Sequence, residues 1–193
     1  MGCDCMSFDD YKKLIKGRMG EKRYRHSVNV SKEAVRLAEK YGADVQKAKI
    51  AGILHDVTKE TPFDEQLKII TDSGIILDDV QKNSQKLWHS LSGSIFVQKE
   101  LGIDDEDIIN AIKYHTSGRA DMSLLEKIIF IADFTSEERD YDGVEIMRKK
   151  ADESLEEAMA FGLAYTIADL ASRNLPIHPN ALEAYNQIMI NRK

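Results

Sequence analysis

The sequence predicts an all-α, single-domain helical bundle, and three observations carry that prediction. Apolar residues recur at helical spacing along most of the 193-residue chain. Most candidate helices begin at Asp, Ser or Pro, and several end at Gly. No segment alternates apolar and polar residues between hairpin turns. A chain of 193 residues fits one domain with a sizeable core, which we expect at residues 8–193, after an irregular tail at residues 1–7.

The first half of the chain is expected to form five helices, each with its own start or stop signal. Gly17 and Gly42 follow two amphipathic segments as helix stops, and Asp44 caps the next helix. Pro62 occupies the first helical position of the fourth helix, and Gly102 ends the fifth. The predicted helices are Phe8–Lys16, Glu21–Tyr41, Val45–His55, a helix that starts at Thr61-Pro62 and breaks at Asp72-Ser73-Gly74, and Trp88–Leu101.

The second half is expected to form four helices. Asp104 and Ser123 are the predicted caps of two of them, and His178 is expected to be an N-cap or a surface residue. The segment Asp152–Arg173 carries the longest helical pattern. The predicted helices are Asp105–Tyr114, Leu124–Phe134, Asp152–Arg173 and Asn180–Ile190.

Composition excludes several classes of function. The net charge of −6 argues against broad binding of nucleic acid or anionic membranes, and no apolar run approaches the ~18–20 residues of a membrane span. We therefore expect a cytoplasmic protein. The sequence is compatible with a homodimer but does not determine the oligomeric state. Cys3 and Cys5 are the only cysteines; we interpret them as free thiols in a mobile tail, since no further Cys could complete a metal site.

Four of the five histidines and two aspartates lie at the ends or early turns of predicted helices. The pair His55-Asp56 emerges from the apolar run Ile50–Leu54, and Asp133 follows another apolar run. Side chains at helix ends can line one cavity in a bundle. A lone helical His is usually structural, so the prediction depends on the whole set: His26, His55, Asp56, His89, His115 and Asp133.

Counting ligands favours two metal ions. His26, His55, Asp56 and Asp133 would fill one site, while His89 and His115 would form a second with Asp56 as the bridge. Imidazole with carboxylate suits iron, manganese, zinc, cobalt or nickel rather than calcium or magnesium. Two adjacent metals can clamp a phosphoryl group and generate hydroxide near neutral pH, which indicates hydrolysis of a phosphate ester or anhydride.

Cationic and polar residues close to these ligands could bind the phosphates. Arg23 lies one helical turn before His26, Lys59 follows Asp56 by three residues, and Arg139 follows Asp133 by six. The loop Thr116–Arg119 after His115 offers hydroxyl, backbone N–H and guanidinium groups. We interpret Arg18, Lys22, Lys149 and Lys150 as surface residues.

The ordered series His26, His55-Asp56, Asp133 resembles the HD-domain superfamily of metal-dependent phosphohydrolases, and His89 and His115 match its two-metal branch. Five segments resemble the bacterial YqeK family from about residue 8 to 190: Arg23–Ser27, His55–Lys59, Trp88–Ser90, Tyr114–Gly118 and Ala132–Phe134, with Arg139 following. The stretch Thr135-Ser136-Glu137-Glu138 departs from the Ile-Glu-Pro pattern of that family.

The resemblance implies a symmetrical bis(5'-nucleosyl)-tetraphosphatase, in which an iron centre helps to split diadenosine tetraphosphate into two ADP. It implies that the six residues ligate two iron ions, with manganese or cobalt as substitutes. It also implies that hydroxide generated there attacks the middle of the tetraphosphate. We assign catalysis to His55, Asp56 and Lys59. Substrate contacts are assigned to Arg23, Lys59, His89, His115, Thr116, Gly118 and Arg139.

The sequence also allows two other functional hypotheses. An HD-type enzyme could act instead on nucleoside monophosphates, deoxynucleoside triphosphates, cyclic dinucleotides or guanosine alarmones, because the same ligands serve all of them. A nucleotide-sensing or ribosome-associated module could bind a nucleotide and hardly cleave it. Six intact ligands argue against a pure binding module.

Overall fold

The computed structural model describes residues 6–192, so the prediction for Cys3 and Cys5 lies outside the described residues. The regular elements of the described chain are all helices, with no strand among them, which confirms the all-α class. None of its helices is long and apolar enough to cross a membrane. The helices are α1 (Phe8–Lys16), α2 (Glu21–Tyr41), α3 (Val45–Leu54), α4 (Phe63–Asp72), α5 (Asp79–Asn83), α6 (Trp88–Lys99), α7 (Glu106–Tyr114), α8 (Leu124–Thr135), α9 (Val144–Glu153), α10 (Leu155–Ser172) and α11 (Pro179–Asn191), with a 3₁₀ turn at Gln85–Leu87.

Helix α8 forms the centre of the main core. Its run Ile128–Ala132 is almost entirely inaccessible to solvent, and the helix packs against α2, α3, α7, α9 and α10. A helix that is apolar on all sides is stable only when neighbours cover it all round. This burial fixes the last turn of α8, which carries Asp133.

Helices α2 and α3 make the closest helix pair around the site. A Cβ atom added to Gly52 would lie 2.7 Å from the Ser31 Cα, so only glycine permits this approach. The Ser31 hydroxyl also donates to the Lys49 carbonyl oxygen at 2.8 Å. The close contact sets the His26 side of α2 against the end of α3, where His55 and Asp56 follow.

A smaller core beside α4 and α6 holds the start of α6. Ile70, Leu77, Trp88, Leu91 and Ile95 pack together there. The Trp88 indole N–H donates to the Gln81 carbonyl oxygen at 2.8 Å. The anchored Trp88 fixes the position of its neighbour His89 in the first turn of α6.

Three predicted helix starts are wrong by one or two residues, and at two of them the capping residue differs from the prediction. The cap of α7 is Asp105, whose carboxylate accepts the Asp107 N–H at 3.0 Å, and not Asp104. Pro62 precedes α4 as its N-cap residue and is not the first helical residue. The prediction that His178 is an N-cap is confirmed, since its side chain accepts the Asn180 N–H, but the helix starts at Pro179 and not at Asn180.

Several predicted helix ends also shift. Helix α3 ends at Leu54 with His55 as its C-cap, and α6 ends at Lys99. Helix α8 continues to Thr135, beyond the predicted Phe134, and α11 reaches Asn191.

The prediction of one long helix over Asp152–Arg173 is wrong. Ser154 adopts an extended backbone (φ −160°, ψ 130°), and its hydroxyl caps α10 by accepting the Glu157 N–H. The preceding residues form the unpredicted helix α9, with Val144, Met147 and Ala151 buried on one face. The Ser-x-x-Glu spacing at Ser154 was the missed signal for a helix start.

Candidate metal centre

Side chains from five helix ends or turns meet at one buried point. His26 comes from α2, His55 is the C-cap of α3, and His115 is the C-cap of α7. Each set of three candidate ligands places its ligand atoms within 4.8 Å of one another, and these sets overlap. The structure thus brings together all the predicted candidates: His26, His55, Asp56, His89, His115 and Asp133.

Backbone carbonyls fix the orientation of three of these imidazole rings. The Nδ1 atoms of His55, His89 and His115 lie 2.8, 2.8 and 2.7 Å from the carbonyl oxygens of the residues three positions earlier. A carbonyl oxygen only accepts, so each Nδ1 carries the hydrogen and each Nε2 carries a lone pair. Burial also lowers the pKa of His55 and holds the pKa of His89 well below its usual range. The rings of His55 and His89 are therefore neutral, as metal ligands must be.

The arrangement leaves polar atoms that no described group satisfies. His55 Nε2 and Asp56 Oδ1 are buried without a hydrogen-bond partner among the described residues, and His26 Nε2 faces the Asp133 carboxylate, itself an acceptor, at 3.0 Å. The Nε2 atoms of His89 and His115 face each other at 3.1 Å. A buried acceptor without a donor costs roughly 1–3 kcal/mol, and a divalent cation placed among these nitrogen and oxygen atoms would satisfy them. The donor set therefore fits a metal ion.

The two carboxylate oxygens of Asp56 face different histidines. Oδ2 lies 3.8 Å from His26 Nε2 and 3.5 Å from His55 Nε2. Oδ1 lies 3.3 Å from His89 Nε2 and 3.6 Å from His115 Nε2. Burial alone would raise the pKa of Asp56, but the pKa lies well below its usual range, with the Lys59 cation among the groups that lower it. Arg23 also donates a hydrogen bond to the same carboxylate. An ionised carboxylate with this geometry is suited to bridge two cations.

Two arginines hold the carboxylates of the cluster. Arg23 donates from Nη1 to Asp56 Oδ2 at 2.8 Å. Arg139 donates from Nε to the Asp133 carbonyl oxygen at 2.6 Å and also binds the Asp133 carboxylate. Asp133 Oδ1 in turn lies 3.0 Å from His26 Nε2. Both arginines stay partly exposed and keep N–H groups free for a ligand.

Lys59 and Thr116 lie on the His89 side of the cluster. Lys59 Nζ is 3.0 Å from His89 Nε2 and 3.9 Å from Asp56 Oδ1. The Thr116 hydroxyl lies 3.2 Å from His89 Nε2 and 3.1 Å from His115 Nε2. The predicted positions of both residues beside the ligands agree with the structure.

The sequence analysis did not predict a role for Glu138, which binds the Nδ1 side of the His26 ring. The Glu138 carboxylate accepts the hydrogen of His26 Nδ1, the Asn29 amide at 2.7 Å and the Ser136 hydroxyl at 2.8 Å. Burial opposes its ionisation, but these three bonds lower the pKa of Glu138 to about 2. The position of Asn29, one helical turn after His26, could have indicated a polar contact on this side of α2. Glu138 lies 112 residues from His26 in sequence, so no local pattern indicated its contact.

The structure gives no support to part of the predicted phosphate loop. The Gly118 N–H already donates to the Tyr114 carbonyl oxygen at 2.8 Å, and its α-carbon packs near Leu163. Arg119 donates to the Glu126 carboxylate from Nε at 2.6 Å and from Nη2 at 3.0 Å. The Gly118 N–H is therefore not available to a phosphate, and Arg119 is directed to Glu126 of α8.

A cavity of about 520 Å³ opens from the cluster to the surface. His26, Arg23 and Arg139 line its inner end, and Tyr141 lines another part of its wall. Lys22, interpreted above as a surface residue, is exposed and also lines this cavity. Ligand cavities in proteins usually measure about 300–1,000 Å³, so a nucleotide fits this size class.

Comparison with known proteins places this geometry in a family. The family model described as HD domain matches residues 23–138. Two curated relatives bear the name symmetrical bis(5'-nucleosyl)-tetraphosphatase. The one from Halalkalibacterium halodurans is 41% identical over 93% of this chain and 96% of its own length. The one from Bacillus subtilis is 40% identical over 91% of this chain and 94% of its own length.

A solved structure agrees with the fold. The crystal structure of a predicted HD superfamily hydrolase involved in NAD metabolism from Clostridium acetobutylicum superposes with a TM-score of 0.94. It is 42% identical to this chain, and the match covers 97% of this chain and 99% of that one. The predicted resemblance is thereby confirmed, and the chain belongs to the HD domain family.

Proposed function

We propose that this chain is a metal-dependent hydrolase that splits diadenosine tetraphosphate symmetrically into two ADP. The observation that carries the chemistry is that four histidine rings meet the ionised Asp56 carboxylate at one buried point. The substrate is supported by relatives of that name that match more than nine-tenths of this chain at 40–41% identity.

The donor atoms suggest how metal would be held. His26, His55, Asp56 and Asp133 would bind one ion, and His89 and His115 would bind a second that shares Asp56. We propose iron, with manganese or cobalt as substitutes, because imidazole and carboxylate without thiolate suit these metals. When bound, such ions supply activated water at neutral pH and neutralise the charge that develops on the phosphoryl oxygens.

The remaining side chains would position the substrate. Arg23 keeps Asp56 ionised and turned toward the cluster, and Arg139 does the same for Asp133. Their remaining N–H groups, with Lys59 Nζ and the Thr116 hydroxyl, face the place where phosphate oxygens would lie. Preorganised donors of this kind stabilise the transition state of phosphoryl transfer. Lys59, beside Asp56 and His89, is the cation best placed to stabilise the leaving diphosphate.

Product analysis tests the proposal. Metal-loaded protein should convert diadenosine tetraphosphate to ADP as the sole product, separated by ion-exchange chromatography. AMP with ATP would mean asymmetrical cleavage and would contradict the proposal. Faster turnover of nucleoside monophosphates, deoxynucleoside triphosphates or guanosine alarmones would favour another HD-type substrate, and tight binding without turnover would favour a sensing module.

We also propose a cytoplasmic location, where nucleotides of this kind are available as substrates. Formation of a homodimer by this chain also stays a prediction.

A further inference from the structure

The cavity beside His26 has the position and the lining expected of a site for one half of the substrate. This inference rests on the proposed function. Symmetrical cleavage places the broken bond between the second and third phosphates of the chain. Each nucleoside diphosphate half must then run away from the metal cluster in its own direction. Two sites of similar chemistry are needed, one on each side of the cluster.

The two sides of the cluster are distinct in the structure. Lys59 and Thr116 contact His89, and Thr116 also contacts His115. These residues do not line the 520 Å³ cavity, which reaches the cluster at His26. If Lys59 and Thr116 bind one nucleoside diphosphate half, the cavity at His26 can bind the other half.

The inner end of the cavity suits a phosphate. Arg23 and Arg139 are each fixed by a bond to a cluster carboxylate. A guanidinium carries five N–H donors; Arg23 is bound through Nη1 only, and Arg139 through Nε and Nη2. The donors that remain lie close to His26, where the phosphate next to the broken bond would leave the cluster.

The outer wall suits the rest of a nucleotide. Lys22 and Arg25 line it, both are exposed, and neither forms an ion pair with another described residue. Tyr141 adds a partly buried aromatic ring. The four cations outnumber the three carboxylates of the lining, Glu60, Glu138 and Asp140. Glu138 is bound to His26 and Asn29, and Glu60 accepts the Gly20 N–H at 2.7 Å.

We propose that this cavity binds the second nucleoside diphosphate half of the dinucleotide. Its inner phosphate lies at Arg23 and Arg139, its outer phosphate meets Lys22 and Arg25, and its nucleoside lies toward Tyr141. Two product molecules of ADP then occupy one chain at once, one on each side of the cluster.

Equilibrium dialysis of the metal-loaded protein with ADP tests this arrangement. The wild type should bind two ADP per chain, and the double variant Lys22→Ala/Arg25→Ala should bind one within the same concentration range. The variant should also raise the KM for diadenosine tetraphosphate about tenfold or more while changing kcat little. A control variant, Lys149→Ala/Arg192→Ala, removes the same charge outside the cavity and should still bind two ADP.

The failures of the two proposals can be told apart. A wild type that produces ADP from the dinucleotide but binds one ADP per chain would overturn the cavity assignment and leave the proposed function standing. A double variant that still binds two ADP with unchanged KM would do the same. A wild type that does not cleave the dinucleotide would overturn the proposed function itself.

Discussion

The Nε2 atoms of His89 and His115 lie 3.1 Å apart, although each ring has already given its Nδ1 hydrogen to a backbone carbonyl. Two lone pairs cannot hydrogen-bond to each other, so without metal each depends on a neighbouring donor: Lys59 Nζ lies 3.0 Å from His89 Nε2, and the Thr116 hydroxyl lies 3.1 Å from His115 Nε2. Two converging imidazole nitrogens beside the Asp56 carboxylate are also a donor set that suits a metal cation.

Metal should stabilise the folded chain. A ligand that binds only the native state at 100 times its Kd adds about 2.7 kcal/mol to the free energy of unfolding. We expect Mn²⁺ to raise the Tm of the chelator-treated wild type, and His115→Ala to gain less. Thermal melts with and without Mn²⁺ measure both. Identical melts for the wild type would argue against the centre.

Removal of Glu138 should weaken metal binding. The carboxylate accepts the His26 Nδ1 hydrogen and so keeps Nε2 turned toward the cluster. Loss of such a partner usually costs 10–100-fold in metal affinity. We expect a loss of about this size in Glu138→Ala, measured by titration with Mn²⁺. Glu138→Gln, which keeps an acceptor oxygen, should lose less.

The neighbour Glu137 provides the matched control for that experiment. Its side chain is exposed, so Glu137→Ala should bind metal as the wild type does. Equal affinity of Glu138→Ala and Glu137→Ala would show that the contact with His26 does not position the ring.

Arg139 and Arg119 should differ in their effects on turnover. Arg139 faces the cluster, whereas Arg119 is bound to Glu126. A charge-assisted hydrogen bond is worth about 1.5–3 kcal/mol, which corresponds to roughly a 10–100-fold change in rate. We expect Arg139→Ala to lower kcat/KM by at least this range and Arg119→Ala to leave it nearly unchanged. Steady-state kinetics would contradict the assignment if Arg119→Ala showed the larger loss.

The cap at Asp105 should contribute a stability that depends on pH. Burial opposes ionisation of Asp105, but Lys47 and the backbone N–H groups that it caps lower its pKa below 3.8. A lowered pKa means that the contribution is complete above the unfolded value and disappears as pH falls through the folded value.

Urea unfolding can measure this cap. At pH 7 we expect Asp105→Ala to lose about 1 kcal/mol of unfolding free energy, the usual cost of a lost N-cap. Asp104→Ala should lose much less, because Asp104 is not the cap. The difference between wild type and Asp105→Ala should shrink as the pH falls below 3.8. A larger loss in Asp104→Ala would contradict the observed helix start.

Gly52→Ala should disturb both stability and the site. The new Cβ would lie 2.7 Å from the Ser31 Cα, so α2 and α3 would have to separate. Overpacking of this kind costs about 1–3 kcal/mol. Gly17→Ala is the control, since its Cβ would meet no atom closer than 3.6 Å. Urea midpoints of the two variants should differ clearly, and equal midpoints would mean that the helix contact tolerates a methyl group.

Local signals explain why much of the fold was predictable. Ser123 and Glu126 form a capping box that begins α8, and the apolar run after them requires burial. Helix ends carry His55, His115 and Asp133, and a bundle brings such ends together. The prediction from helical periodicity failed at Ser154, because this residue caps α10 inside a continuous helical pattern and so divides α9 from α10.

Contacts across the bundle could not be predicted from local patterns. The ion pair of Arg119 with Glu126 competes with the predicted role in phosphate binding, and only the packing of the loop decides the outcome. Likewise, Glu138 looked like a charge near a phosphate site, but it is bonded to His26 from behind. Both outcomes depend on distances that sequence spacing does not contain.

The central claim is that the buried His and Asp cluster is a metal centre that drives hydrolysis of the dinucleotide. The most direct measurement is metal content and turnover in the same anaerobically purified sample, for wild type and Asp56→Ala. We predict about two irons per chain with ADP as product in the wild type, and loss of both metal and turnover in Asp56→Ala. Full turnover by Asp56→Ala, or turnover by a metal-free wild type, would contradict the claim.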